Sequence, residues 1–449
     1  MVEVTIKFSC PEKVELKTTY ILNLFTAISG IKFTRTDSSP DILYGAADEP
    51  CSLNVPFIEY EIMLDDWQLF NGRNRLVLPQ FIQPESLKLT DRQIGLDLFS
   101  LMYSFLETGL KNIEKEIWST DRIRTNLYFT YPFFNSYAQY LVEIMKQAQI
   151  IPESFSPASP WPVFAPFAVG LSHDLDIFKR KVPGSVRILA QAAFSDKVPG
   201  GMSGSLKGFY DSFAGAVTFG KNPYDQFDTW LKSDGSSTYF VFAGDRKSSK
   251  DPTYNPAKVG RRLKGLDFEI ALHNGIGTWK NAGDLAKAQN KLSEIFDNPI
   301  EGIRPHYLDF SLPEFWANAG GFRYSSSIGS DKVPGFSCGV NFPLQGLDLE
   351  SGEPLDILEM PIGLMDCALF SIKEKILRER AIQDIINCCN STHGLLVLDW
   401  HSRSAYEPDF PGWFATYNAI LDTARAAGAY IAPLGEIARY WRNHCISAL

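Results

Sequence analysis

The chain has 449 residues, 45% hydrophobic and 13% aromatic, enough to bury large cores in two or three domains. Its formal net charge of -9 and isoelectric point near 5.3 disfavour nucleic acid and anionic membranes as partners, and no apolar run is long enough to span a bilayer. Seven cysteines without Cys-x-x-Cys spacing suggest neither a disulfide framework nor a zinc ribbon and are expected to be reduced.

In chain order, residues 2–9, 31–36, 41–46 and 57–63 read as short strands, with a helix from Lys17 to Ile28 between the first two. The first nine residues alternate like a strand and lack the basic start and apolar core of a signal peptide, so a cytoplasmic location is expected. Asp91 to Leu106 and Tyr137 to Ala148 read as amphipathic helices, the first capped by Thr90 or Asp91. Four prolines among the twelve residues from Ile151 to Pro162 mark a boundary. The expected organisation is an N-terminal α/β domain at 1–150, a Pro-rich linker at 151–164 and a catalytic domain at 165–449. The Gly-, Ser- and Lys-rich stretch 195–221 reads as a loop insertion controlling substrate access.

The segment Gly170-Leu171-Ser172-His173-Asp174-Leu175-Asp176 ends an apolar run with two carboxylates at strand spacing, so both point to one side. Two such groups stay ionised together only with a cation or strong donor between them. A solvated polar loop is the plainer reading of an isolated Asp-x-Asp. Three further segments share the pattern. Phe268 to His273 is an alternating strand that ends on a His and breaks at Asn274-Gly275. Arg304-Pro305-His306-Tyr307 can orient a carboxylate. Leu395 to Asp399 is a continuous apolar run, as in a parallel strand buried on both faces, followed by Trp400-His401. In parallel α/β folds, functional groups gather at the C-terminal strand ends, so these segments form one candidate site.

Taken together, Ser-His-Asp-Leu-Asp, Glu-Ile-Ala-Leu-His, Arg-Pro-His-Tyr and Leu-Asp-Trp-His resemble the polysaccharide deacetylases, the family 4 carbohydrate esterases with a NodB-homology domain. The likeness is nearest to a bacterial subgroup and extends to Ser237 to Phe242, Gly335-Phe336, Leu358 to Pro361 and Gly435 to Ile437, covering about residues 165–445. It implies a distorted (β/α) barrel preceded by a smaller α/β domain. It further implies Asp174 as general base, Asp176 and His273 as metal ligands, Arg304 as holder of the base and His401 as general acid. The Tyr307 N–H would meet the oxyanion. The chemistry is that of one divalent metal ion, zinc being the first expectation, which polarises an acyl carbonyl and acidifies water while a carboxylate removes the proton.

The family's second metal His, four residues after the first, is Gly277 here. His306 is the candidate replacement ligand, with a structural or substrate-contacting ring as the alternative; Asn274 and Thr278 are also near in sequence. Asp309 stands where related chains tend to have Arg, which would place an anion beside the pocket and alter the preference for substrate charge. Asp366 reads as a helix cap, with a pocket carboxylate as the alternative. Trp279, Tyr307, Trp400, Tyr406 and Trp413 are candidates for stacking on sugar rings. The expected activity is deacetylation of an N- or O-acetylated sugar or glycan precursor. The alternatives are hydrolysis of another C–N bond, such as a formamide or cyclic amide, and an inactive carbohydrate-binding protein on the same scaffold.

Overall fold

A computed structural model describes residues 2–45, 50–58, 60, 67–70, 76–79, 82–111, 131–180 and 222–446. The stretch 195–221 lies outside the described residues. The first 94 residues contribute a six-stranded sheet of order β2-β1-β3-β4-β8-β7. Its strands are β1 (Val2–Ser9), β2 (Ile31–Arg35), β3 (Ile42–Gly45), β4 (Leu53–Val55), β7 (Leu89–Thr90) and β8 (Gln93–Ile94). All neighbouring pairs are parallel except the β7/β8 hairpin, and β5 (Trp67–Phe70) and β6 (Leu76–Pro79) form a separate antiparallel pair.

Three sequence expectations need correction here. The fourth strand is Leu53–Val55; of the stretch read as a strand at 57–63, the described residues 57, 58 and 60 are irregular. No helix begins at Asp91, because Asp91 and Arg92 adopt left-handed backbone conformations (φ 48° and 65°) that turn the chain between β7 and β8. That helix spans Leu98–Lys111 and is capped by the buried Asp97, whose Oδ1 accepts the Ser100 N–H at 3.0 Å. The helix read from Lys17 starts earlier, at Glu12, so that Glu12 and Glu15 lie at the positive end of its dipole.

The larger sheet carries the site. Its order is β14-β15-β13-β12-β11-β10-β9-β17-β16, with β18 also paired to β9. These are β9 (Ala168–Leu175), β10 (Thr238–Phe242), β11 (Glu269–Asn274), β12 (Gly302–Pro305), β13 (Tyr324–Ser325), β14 (Leu344–Leu347), β15 (Pro354–Glu359), β16 (Ile362–Met365), β17 (Leu395–Asp399) and β18 (Tyr430–Pro433). Every pair is parallel except β14/β15.

Two features curl the sheet into a distorted (β/α) barrel. One edge of β9 pairs with β18 along Ala168–Leu171 and with β10 along Ser172–Leu175. In addition, β15 and β16 are separated only by Met360-Pro361, and the chain pairs with β13 before that break and with β17 after it. The circuit from β9 through β10, β11, β12, β13, β15/β16 and β17 thereby returns to β9. Helices between consecutive strands, such as Ala282–Phe296 between β11 and β12, cover the outside, which explains why β9, β10 and β17 are buried along their whole lengths.

At the N-terminal ends of the strands, the Glu269 carboxylate accepts from Tyr324 Oη at 2.9 Å, Thr238 Oγ1 at 2.5 Å and the Gly435 N–H at 2.8 Å, tying three strands to the last helix. The two sheets share one apolar core. The Pro-rich stretch lies against it: Trp161 is buried on Trp441, and its Nε1–H donates to the His393 carbonyl at 2.8 Å.

Candidate metal and acid–base site

Strand register brings the site together. Phe242 on β10 pairs with His273 on β11, and His273 pairs with Arg304 on β12, while Asp174 on β9 lies opposite Phe240. These are all C-terminal strand ends. The pleat sends Asp174 and Asp176 inward and His173 to the opposite face. There His173 lies between the Trp400 carbonyl and Asp234 Oδ2, each 2.8 Å from a ring nitrogen, and takes no part in the site.

Asp176 is the hub. Its Oδ1 lies 3.3 Å from His273 Nε2 and 3.4 Å from His306 Nε2; its Oδ2 lies 3.2 Å from His401 Nε2 and 3.1 Å from Arg403 Nη1. Two ligands at 2.0–2.1 Å from a tetrahedral zinc sit about 3.3 Å apart, so two overlapping groups, Asp176 with His273 and His306 and Asp174 with Asp176 and His401, have the spacing of a three-ligand cation site, and the first brings two imidazoles together. The donor chemistry agrees. His273 Nδ1 lies 2.9 Å from the Arg304 carbonyl, which can only accept, so the proton of the neutral ring is on Nδ1. The bare Nε2 lone pair then faces the Asp176 and Asp174 oxygens, an arrangement that calls for a cation or an extra proton between them. His306 Nδ1 lies 3.6 Å from the buried Asp251, beyond hydrogen-bond reach, and has no hydrogen-bond partner among the described residues; the Asp251 carboxylate instead accepts from the Lys247, Ser248 and Ile276 N–H groups. The left-handed Gly277, where a second His was expected, donates its N–H to Asp309 at 2.6 Å, and Asn274 is bonded to Thr278 Oγ1 at 3.1 Å.

Beside this trio lie the acid–base groups. Arg304 is fully buried and uses its whole guanidinium: Nη1 to Asp174 Oδ1 at 2.8 Å, Nη2 to Ser172 Oγ at 2.9 Å and Ser326 Oγ at 2.8 Å, and Nε to the Ser326 carbonyl at 2.8 Å. Burial alone would raise the Asp174 pKa, but the neighbouring Arg304 charge holds it below the usual carboxylate range. His401 is gripped by Asp366, which accepts from the ring Nδ1 and from the backbone N–H, both at 2.8 Å. Burial disfavours the imidazolium, but Asp366 and Asp176 outweigh it and lift the His401 pKa well above the ordinary value. Of the readings left open, Asp366 is therefore the site carboxylate that orients His401.

Several residues read from sequence lie elsewhere than expected. Trp400 is 0% exposed and packs on Tyr417, so it offers no platform to a ligand. Trp279 is 5% exposed and donates its indole N–H to Asp309 Oδ2 at 3.1 Å; Asp309 is thereby committed to the Gly277–Trp279 turn and does not present an anion to the pocket. Trp413 stacks on Phe370, and Tyr406 is 8% exposed. Tyr307, 65% exposed with φ 61°, stands edge-on to His306 with ring centres 4.6 Å apart. Sequence reasoning missed Asp251, Arg403 and the role of Asp399. Asp399 lies 2.9 Å from Arg304, and burial, reinforced by Asp174, pushes its carboxyl up to about 7 despite that cation. Its signal was the acid placed directly before Trp400-His401; Asp251 and Arg403 lie in loops whose pattern carries none.

Fold and site define a parallel (β/α) barrel with a metal-competent Asp/His cluster at its C-terminal strand ends. No family model and no curated protein matches the chain. Among solved structures, it is similar to the PuuE allantoinase, at 15% identity, 65% of this chain, 95% of that one and a TM-score of 0.43. It is also similar to a "probable polysaccharide deacetylase" from Pseudomonas aeruginosa PAO1, at 15% identity, 65% and 96% coverage and a TM-score of 0.42. A CE4 family pseudoenzyme from Bacillus anthracis overlaps at 9% identity, 60% and 65% coverage and a TM-score of 0.28.

Proposed function

We propose that the protein is a metal-dependent hydrolase that removes an acetyl group from an N- or O-acetylated sugar or glycan precursor. The observation that carries this reading is the convergence of His273 and His306 on Asp176, flanked by an Arg-held carboxylate and an Asp-held imidazole. A site built only to bind sugar has no use for a base, its orienting cation and an acid around one cation position.

Asp176, His273 and His306 would hold one divalent cation, and a set of two imidazoles and a carboxylate suits zinc. When bound, the cation supplies Lewis acidity to the acyl carbonyl and to the attacking water. Asp174, fixed by Arg304, takes the proton from that water. The Tyr307 N–H, presented at the mouth by the left-handed turn after Pro305, meets the developing oxyanion. His401, oriented by Asp366, passes a proton to the departing nitrogen or oxygen. Charge-orienting partners of this kind fix geometry before the substrate arrives, which is where electrostatic catalysis gains most. A cytoplasmic location belongs to the same proposal, supported by seven cysteines whose spacing suggests no disulfide framework. Among the described residues, no helix is long and apolar enough to cross a membrane.

The test is elemental mass spectrometry on protein purified without metal-affinity resin, followed by assay of acetate release from acetylated sugars. About one divalent ion per chain and turnover are expected. A protein that neither carries metal nor takes it up on titration contradicts the reading.

A further inference from the structure

Asp309 was expected to place an anion beside the pocket, but it is turned into the Gly277–Trp279 loop. What the structure sets beside the Asp/His cluster is cationic. Arg403 reaches in from the short 3-10 turn Ser402–Ala405 after β17, two residues beyond His401. Among the described residues its one hydrogen bond runs from Nη1 to Asp176 Oδ2 at 3.1 Å. Its other N–H groups donate to no protein atom among those residues. None of them is sealed from solvent, and the side chain remains 21% exposed. A guanidinium has five N–H donors in a planar fork, so most of this one is unused beside Asp176.

The neighbouring Arg180 shows the contrast. It is held in a two-point pair by Asp409 at 2.6 and 2.7 Å and is already neutralised. The exposed Lys250 holds its ammonium 5.4 Å from the centre of the Tyr307 ring, which itself stands against His306, and meets no carboxylate among the described residues. In a chain of net charge -9, two cations with spare hydrogen-bonding capacity thus flank one cluster.

We propose that Arg403 is a specificity-determining residue that receives a carboxylate of the substrate, with Lys250 at the rim, so that the preferred substrate is the acylated form of a sugar acid. The inference rests on the deacetylase reading for the reaction, but its recognition half stands on the guanidinium alone. The fork suits the two coplanar oxygens of a carboxylate. Asp176 Oδ2 fixes one arm of the guanidinium and leaves the remaining donors available to a ligand.

The experiment uses two probes that differ only at C6, glucosamine and glucosaminuronic acid, with binding to the zinc-loaded full chain measured by calorimetry. Their N-acetyl forms serve for acetate release. Wild type is expected to bind the uronate at least about tenfold more tightly than the neutral sugar, as for a charge-assisted pair in a partly desolvated site. Arg403→Gln should abolish that difference at unchanged zinc content, Arg403→Lys should keep part of it, and Lys250→Ala should weaken it by a smaller factor. Equal binding of both probes by wild type, or the same preference in wild type and Arg403→Gln, overturns the proposal. So does loss of zinc from Arg403→Gln in excess zinc, because Arg403 would then serve only to hold Asp176. Discrimination in binding without acetate release from either acetylated probe leaves the recognition role standing and defeats the deacetylase reading instead.

Discussion

Each side chain proposed to react is held by a partner fixed on a different element, and this separates the effects expected of single substitutions. Asp174→Asn keeps the shape and the Arg304 contact but cannot take a proton. Turnover should fall by about 10³-fold, within the range for loss of a general base, with zinc content unchanged. Retained turnover would remove Asp174 from the role. The two histidines that face Asp176 from opposite sides should part company. His306→Ala deletes one of the three proposed metal donors and should lower zinc affinity by about tenfold or more. His401→Ala should leave zinc near wild type and depress turnover, because its Nε2 lies on the Asp176 Oδ2 side beside Arg403. Equal zinc loss in both would make His401 a ligand and reverse that assignment. Binding assays of metal content alone, without any substrate, decide between these outcomes.

At the scale of elements, the site depends on strands being locked in register at the end remote from it. Glu269 at the start of β11 is the lock, and burial raises its pKa although Thr238, Gly435 and Tyr324 donate to it. Glu269→Ala would strand those donors and should destabilise the chain by about 3 kcal/mol, read as a shift in urea midpoint. Gly302→Ala should act on the same lock, since a Cβ there would meet the Tyr324 hydroxyl at 2.2 Å and push the ring off Glu269. An unchanged midpoint in both would show that the register is set elsewhere. What sequence could show follows from the same geometry. The buried strands β9, β11 and β17 were legible because apolar runs end abruptly on Asp or His, and two-residue alternation placed Asp174 and Asp176 on one side. The start of the Leu98–Lys111 helix was not, because the Asp91-Arg92 turn carries helix-like composition and its left-handed conformation has no glycine to announce it. Trp279, Asp309 and Trp400 were misread because whether a ring or carboxylate after a strand faces the pocket or the packing depends on the loop's path, which no periodicity records. Arg403 and Asp251 enter through long-range placement, 227 and 55 residues from Asp176 and His306 respectively.

At the scale of the whole molecule, the charges buried to hold this arrangement set its dependence on pH. Asp97, Glu269, Glu359 and Asp399 are all enclosed carboxyls whose pKa burial raises, Asp399 to about 7. A carboxyl raised in the folded state binds its proton more tightly there than in the unfolded chain, whose value is about 3.9 for Asp. Between those two values the native state holds the proton that the unfolded state has released, so stability falls as pH rises across that window and levels off above it. The other paired carboxylates act in the opposite sense, since Asp174 and Asp176 are lowered and their stabilisation is gained as pH rises through the acid range to the unfolded carboxylate value and is constant above it. The Asp399 contribution is therefore best isolated by difference. Asp399→Asn keeps the volume while removing the titration, and Arg304 retains Asp174, Ser172 and Ser326 as partners. Urea midpoints measured from pH 4 to 8 should show the variant gaining on wild type as pH rises and holding a constant advantage above about pH 7. A difference that stays flat across the range would mean that Asp399 is ionised throughout, with the Arg304 charge at 2.9 Å outweighing its burial.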